Sequence, residues 1–272
     1  MTGVLSKLHL SKSGYYNYLH RKPSKQSISK KNRIQTIQAI YDDNHQIYGA
    51  PKIAKEIQKQ GEKISERTVG VYMREMGIKA CYIKPYVKTT FDSDFSTKLH
   101  NILKRDFSPS KPNEAWYTDI TCIFTLEGFV YLTSVMDLYS RKIIAWTLSK
   151  TLEVEEVLKC IEMARKRRKT ADPVIIHSDR GVHYTSKLYK KLTKGLILSY
   201  SKKGPPWDNT CIESFHSVIK REWLNRTLIY DYDHAYDLCF EYIETFYNTI
   251  RIHNHCGYES PNQYENSYYS KH

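Results

Sequence analysis

Residues 114–137 read EAWYTDITCIFTLEGFVYLTSVMD, and this stretch decides the fold class. Trp, Tyr, Ile, Thr and Phe dominate it, the residues that suit a pleated, half-buried strand. Glu127-Gly128 interrupts the run where a tight turn is needed, so the stretch predicts two antiparallel strands of a hairpin. A third run, KIIAWTLS at 142–149, predicts a third strand. One residue is out of keeping. Asp119 places an ionised carboxylate inside an aromatic and β-branched strand, which is costly unless it is paired or binds a metal.

Downstream, Thr151 is placed to cap a helix with Val154, Val157, Leu158 and Ile161 inward. Glu153, Glu155 and Glu156 fill its first turn and RKRRK (165–169) its last, which complements the helix dipole. The same basic tract also resembles a DNA contact, and both readings stay open. A buried strand over 173–178, a helix over 185–194, the strand LILSYS (196–201) and a helix from Thr210 follow. A long helix over 232–250 and an extended tail over 251–272 complete the chain. Three strands, a helix, then strand–helix–strand–helix is an α/β order, that of the ribonuclease-H-like fold.

This order brings two further acids towards Asp119. Asp179 follows the apolar VII run, at the carboxyl end of its strand, where α/β sheets place ligands. Glu213 falls in the first turn of the helix from Thr210. Three converging carboxylates repel one another, and a divalent cation relieves that repulsion. Oxygen-only ligands suit Mg2+ or Mn2+, and two such ions ~3.5–4 Å apart clamp both oxygens of an in-line phosphoryl displacement. Asp119, Asp179 and Glu213 are thus the candidate catalytic and metal-binding residues. Glu213, Ser217 and Lys220 share a helix face, with His216 beside them. His216, Lys220 and Arg221 are candidate DNA contacts, or a solvated face. Lys202 and Lys203 head a basic loop able to reach DNA, while Arg251 and His253 either touch DNA or pack the final helix. Zinc is not expected, because neither His253, His255 and Cys256 nor His177 and His183 have a second ligand pair at the required spacing.

The chain of 272 residues carries 42 basic and 29 acidic side chains, a net charge of +13. Residues 1–110 hold 20 Lys/Arg against 9 Asp/Glu, a net of +11, whereas 111–272 hold 22 against 20. A basic arm on a near-neutral body points to a polyanion partner. Within the arm, Ile34, Ile37, Ile40 and Tyr41 recur at helical spacing. Pro51 opens a helix through Ile53, Ala54 and Ile57, and Gly61 closes it. Ser65 caps a second helix through Val69, Tyr72, Met73 and Met76, with Gly77 as the stop. Two short helices around a tight turn suggest a helix-turn-helix-like domain, with Lys63, Arg67 and Arg74 towards DNA. The expected organisation is a basic helical arm (1–30), a helix-turn-helix-like domain (31–78), a linker (79–113), a catalytic core (114–230) and a C-terminal helix and tail packed on that core (231–272).

Several motifs together resemble a known family. WYTDIT (116–121), YLTSVMDLYSRKIIAW (131–146), HSDRG-x-x-YTS (177–186), KG-x-x-WDN-x-x-IESF (203–215), IKRE (219–222) and YN-x-x-R-x-H-x-x-x-GY-x-SP-x-x-YE (247–265) match the integrase-type DDE transposases of bacterial insertion sequences. SKSGYYNYL (11–19) and YGAPKIAKEIQKQG (48–61) extend the match more weakly. The closest branch splits its transposase over two reading frames, and this chain is similar to the second-frame product. The resemblance implies a ribonuclease-H-like integrase core with Asp119, Asp179 and Glu213 as metal ligands. It implies nicking at transposon ends, then attack of the freed 3′-hydroxyl on another phosphodiester. It also implies double-stranded DNA as substrate and a first-frame protein joined by frameshifting; pairing two transposon ends requires at least two protomers, so a homo-oligomer is expected on DNA. Three features depart from the pattern: 33 residues separate Asp179 from Glu213, slightly fewer than usual; VHY replaces SQY after HSDRG; and Cys256 stands where Leu is usual.

Two other readings compete: a DNA-binding remnant without chemistry, and a ribonuclease-H-like nuclease that cuts without joining. No apolar run approaches the ~18 residues of a membrane helix, the start lacks a secretory core, and the six cysteines form no close pair. A cytoplasmic protein is expected.

Overall fold

The computed structural model describes residues 7, 11–81, 100–103, 108–170, 172–201 and 206–271. The chain divides into two compact units, Met1–Ala80 and Cys81–His272.

The first unit is helical: α1 (Lys12–Leu19), α2 (Lys25–Asp43), α3 (Ala50–Lys59) and α4 (Glu66–Glu75). α2 is longer than its apolar spacing predicts, because Ser24 caps it by accepting from the Ser27 amide. Ile37, Ile53, Ala54, Ile57, Val69 and Met73 are buried and form the core of the unit. Gly61, at φ +89°, takes the left-handed turn after α3, and Ser65 caps α4 through the Thr68 amide at 3.1 Å. The α3–turn–α4 pair is the expected helix-turn-helix-like element.

The second unit is a five-stranded sheet of order β3-β2-β1-β4-β5, built from β1 (Ala115–Thr125), β2 (Gly128–Asp137), β3 (Ile143–Ser149), β4 (Val174–Ser178) and β5 (Leu196–Tyr200). β1, β2 and β3 are antiparallel, whereas β4 runs parallel to β1 and β5 parallel to β4. The parallel step requires a crossover, which α5 (Val154–Arg168) supplies. It buries Val157, Cys160, Ile161 and Ala164 against Trp116, Val135, Ile144 and Ala145. Two short helices, α6 (Val182–Thr185) and α7 (Lys187–Leu192), lead to β5. Although the Asp179–Glu213 segment is short, β5 keeps all five pairings with β4, from Val174↔Leu196 to Ser178↔Tyr200. α8 (Thr210–Glu222) buries Ile212, Phe215 and Ile219, and α9 (Tyr232–Phe240) continues as a π-helical segment, Glu241–Tyr247. This is the ribonuclease-H-like order read from the sequence.

Three expectations need correction. α5 starts at Val154, later than a Thr151 cap predicts, because Thr151 is engaged with the Ser149 hydroxyl instead. The long helix does not stay α-helical to residue 250; beyond Phe240 it widens into the π-helical segment. The tail is not extended: α10 (Pro261–Tyr269) forms behind a reciprocal capping box between Ser260 and Gln263. The RKRRK tract also finds its place. Arg165 donates to Lys194 O, Arg167 to Ile144 O, and Arg168 to both oxygens of Glu265 at 2.6 and 2.8 Å, while Lys166 pairs with Glu162. The tract ties α5 to its own unit.

Candidate active site

Residue alternation along β1 separates its two faces. Trp116 enters the core beneath α5, whereas Asp119 projects from the opposite face, towards α8. The side chain is 16% exposed, and its Oδ2 lies 3.3 Å from His216 Nδ1. His216 is itself buried, with Nε2 3.3 Å from Ser134 Oγ. Ser134 is the β2 residue paired with Asp119, so one imidazole spans both strands of the hairpin.

Asp179 stands one residue beyond β4. Its Oδ1 accepts from the Gly181 amide at 2.9 Å, and the Arg180 guanidinium closes the same turn by donating to Ser201 O at 2.7 Å. A Cβ on residue 181 would meet Asp179 Oδ1 at 3.0 Å, so glycine lets the backbone approach the carboxylate. Gly181→Ala is expected to displace that carboxylate by a few tenths of an ångström. Its φ is ordinary for alanine, at −55°. The strand-cleavage rate should fall by roughly 10-fold, given that ~1 Å of misplacement can cost ~10²-fold, while the melting temperature holds. Cleavage kinetics beside a thermal melt check both halves of that expectation.

Glu213 lies in the first turn of α8, on its open face. Partial burial against the sheet and then the charges of Asp119 and Asp179 push its carboxyl up to about 7. Under the sheet, the buried Tyr184 hydroxyl lies 3.4 Å from Thr118 Oγ1 and is held well above its usual range by burial, with Asp119 and Asp179 adding to the effect. The Glu213 carboxyl therefore feels the charges of both other acids. Among the described residues, no three His, Cys, Asp or Glu side chains are already converged as a metal cage. An all-oxygen donor set under mutual repulsion fits a hard divalent cation, which would draw it inward.

The other candidates are scattered. Lys63, Arg67 and Arg74 are exposed on the helical unit, with Arg74 Nε folded back to Gly70 O. Lys220 is half-exposed on α8. Arg221 is half-buried, 3.7 Å from Glu222 Oε1. Lys202 and Lys203 lie outside the described residues. His216 is buried, with its ring between Asp119 and Ser134. Arg251 is the main correction: it is 7% exposed and its guanidinium grips Glu222 through two 2.7 Å bonds. His253 is half-buried against the Tyr247 ring and 3.1 Å from Arg251 Nη1. The alternative reading, packing of the final helix, describes both. The sequence pattern does not by itself mark Ser134 or Gly181. Hairpin counting finds Ser134, because a turn closed by Thr125 and Gly128 makes it the partner of Asp119.

Residues 109–204 match the integrase core domain, and a second integrase core domain model matches residues 194–261. Residues 29–86 match the HTH-like domain. The chain is 33% identical over 249 residues to the transposase for insertion sequence element IS904 of Lactococcus lactis subsp. lactis strain IL1403, covering 91% of this chain and 98% of that protein. It is also 33% identical over 263 residues to transposase InsF for insertion sequence IS3A of Escherichia coli strain K12, covering 95% and 91%. The chain belongs to the insertion-sequence transposase family. As a transposase it is a DDE-type polynucleotidyl transferase acting in DNA transposition. Among solved structures, the transposase is similar to the HTLV-2 integrase catalytic core domain in complex with magnesium, at TM-score 0.44 and 18% identity over 57% of this chain and 98% of that one. No helix among the described residues is long and apolar enough to cross a membrane.

Proposed function

We propose that Asp119, Asp179 and Glu213 are the carboxylates at which this transposase cleaves and joins DNA. The observation that carries this reading is geometric: His216 of α8 lies 3.3 Å from Asp119 Oδ2, the Gly181 amide holds Asp179 just beyond β4, and the half-buried Glu213 carboxyl on the same helix is raised by burial first and by those two acids second. That arrangement disfavours three bare charges and favours a bound divalent cation. Magnesium or manganese, as two ions and without zinc, would activate the attacking oxygen and stabilise the departing one. The chain's own residues do the positioning: His216 sets the Asp119 carboxylate from the side, and the Gly181 amide fixes one oxygen of Asp179.

In the first step a water oxygen bonds to phosphorus and the P–O3′ bond breaks, freeing a 3′-hydroxyl at the transposon end. In the second, that hydroxyl attacks a target phosphodiester and displaces another 3′-oxygen. One phosphoester bond forms as one breaks, so joining needs no nucleotide energy source. Double-stranded DNA is the substrate, with Lys63 and Arg67 meeting phosphates and bases from the helical unit, Arg74 beside them, and Lys202, Lys203, Lys220 and Arg221 near the reacting strand. The working assembly is a cytoplasmic homo-oligomer in which the chain is fused to a first-frame protein.

The test is a strand-cleavage and strand-transfer assay with DNA carrying the element's own ends, the fused chain and magnesium or manganese. Joined products that require the metal and vanish in Asp119→Asn support the reading. DNA binding without cleavage would mark a remnant, and cleavage without joining a nuclease.

A further inference from the structure

What holds the start of α8 is not its own cap. Asn209 occupies the N-cap position but makes no side-chain capping bond. The preceding residue, Asp208, is 2% exposed and is held at both ends. Its backbone carbonyl accepts from the Tyr117 hydroxyl at 3.2 Å, and its carboxylate Oδ2 accepts from Asn101 Nδ2 at 2.7 Å. Tyr117 is two residues from Asp119 on the same face of β1. Its ring also packs edge-on against His177, 5.0 Å away and two residues before Asp179. Asp208 therefore connects the helix bearing Glu213 to the strands bearing the other two acids.

Asn101 comes from a segment that the sequence reads as linker. Residues 100–103 instead bond to the end of β5. Tyr200 N donates to His100 O at 3.0 Å, and Ile102 N donates to Ser199 Oγ at 3.0 Å. The same hydroxyl lies 2.8 Å from His177 Nδ1, and Leu103 is buried. The donor identity at Asn101 follows from chemistry, since a carboxylate only accepts and the amide must present its NH2.

We infer that Asn101 is a positioning residue for Glu213, acting through the Asp208 carboxylate at the start of α8. A buried carboxylate deprived of a donor is pulled towards water, and here that movement shifts the first turn of α8, five residues from Asp208 to Glu213. Residues 100–103 are thus part of the active-site scaffold. This inference rests on the reading of Glu213 as a catalytic carboxylate.

The test uses the fused full chain as wild type, Glu213→Gln, Asn101→Ala, and the exchanged pair Asn101→Asp with Asp208→Asn, which restores one donor facing one acceptor. Asn101→Ala is expected to lower the joining rate at saturating DNA by at least about 10-fold, with the half-saturating DNA concentration unchanged and the melting temperature lowered while the protein stays folded at the assay temperature, since a buried carboxylate has lost one donor. Amide exchange over residues 209–214 should quicken while β1 and β2 stay protected, and the exchanged pair should regain most of the rate. A rate within about two-fold of wild type for Asn101→Ala, beside an inactive Glu213→Gln, overturns the inference. So does unchanged exchange over 209–214, or failure of a folded exchanged pair to recover. Global unfolding of both Asn101 variants also overturns it, since the segment is then merely a fold element. Full activity in Glu213→Gln defeats the catalytic reading first, and the inference with it.

Discussion

Glu213→Gln is expected to abolish metal-dependent cleavage and joining while leaving the catalytic unit folded. Losing one preorganised electrostatic group costs on the order of 10²–10³ in rate, and a group that binds the cation should cost at least that. Stability should move the other way. The folded-state pKa of Glu213 is raised from 4.5 to about 7, so its ionisation opposes folding as pH rises through that interval. Below it the carboxyl is neutral in both states and the penalty is absent; above it the penalty is complete. Glutamine mimics the neutral form, so the variant should melt no lower than wild type at pH 8 and together with it near pH 4. Magnesium or manganese should raise the wild-type melting temperature at pH 8 and raise that of the variant much less. Equal metal shifts in the two proteins would remove Glu213 from the metal site.

The contrast between the acids and the cations shows what the sequence makes legible. Asp119 stands out because its own neighbours are wrong for a charge, and Asp179 and Glu213 sit at the ends of elements whose order can be read. Local pattern therefore nominates all three as candidates. Their mutual approach is a tertiary quantity, seen in the contact of His216 on α8 with Asp119 on β1 and in the charges of Asp119 and Asp179 that add to the burial of the Glu213 carboxyl. Cations offer no such local contradiction: a charged residue in a polar stretch is equally consistent with solvent, DNA or a buried acid. The RKRRK tract is resolved by Glu265, Ile144 and Lys194, all distant in sequence. α10 escapes for a related reason. Its stretch, PNQYENSYY, has little apolar periodicity, and its stability comes from the Ser260 capping box and the Arg168–Glu265 pair. Residues 100–103 carry no periodicity at all and are ordered by bonds to β5.

Arg251→Ala is expected to destabilise the catalytic unit by about 3–5 kcal/mol, the cost of stranding a buried charge. Glu222, at the end of α8, is 3% exposed and accepts from Arg251 Nε, Arg251 Nη2 and the Tyr242 hydroxyl, each at 2.7 Å. Burial alone would lower the Arg251 pKa, but the paired carboxylate raises it, so both partners stay charged in the core. Without the guanidinium, the carboxylate must take up a proton or drag the end of α8 towards water. The pair itself need not be stabilising on balance, because two desolvated ions recover little more than well-packed apolar side chains do. Glu222→Leu combined with Arg251→Met should therefore be less destabilised than the sum of the single variants, with a coupling of about 0.5–3 kcal/mol in denaturant titrations. A DNA-contact role for Arg251 makes the opposite forecast: weaker, less salt-sensitive DNA binding with the unfolding midpoint unmoved. Since the pair anchors the far end of the helix that carries Glu213, loss of joining in Arg251→Ala should follow the unfolded fraction and return on cooling or with stabilising osmolyte, whereas a lost DNA contact would not be recovered by either.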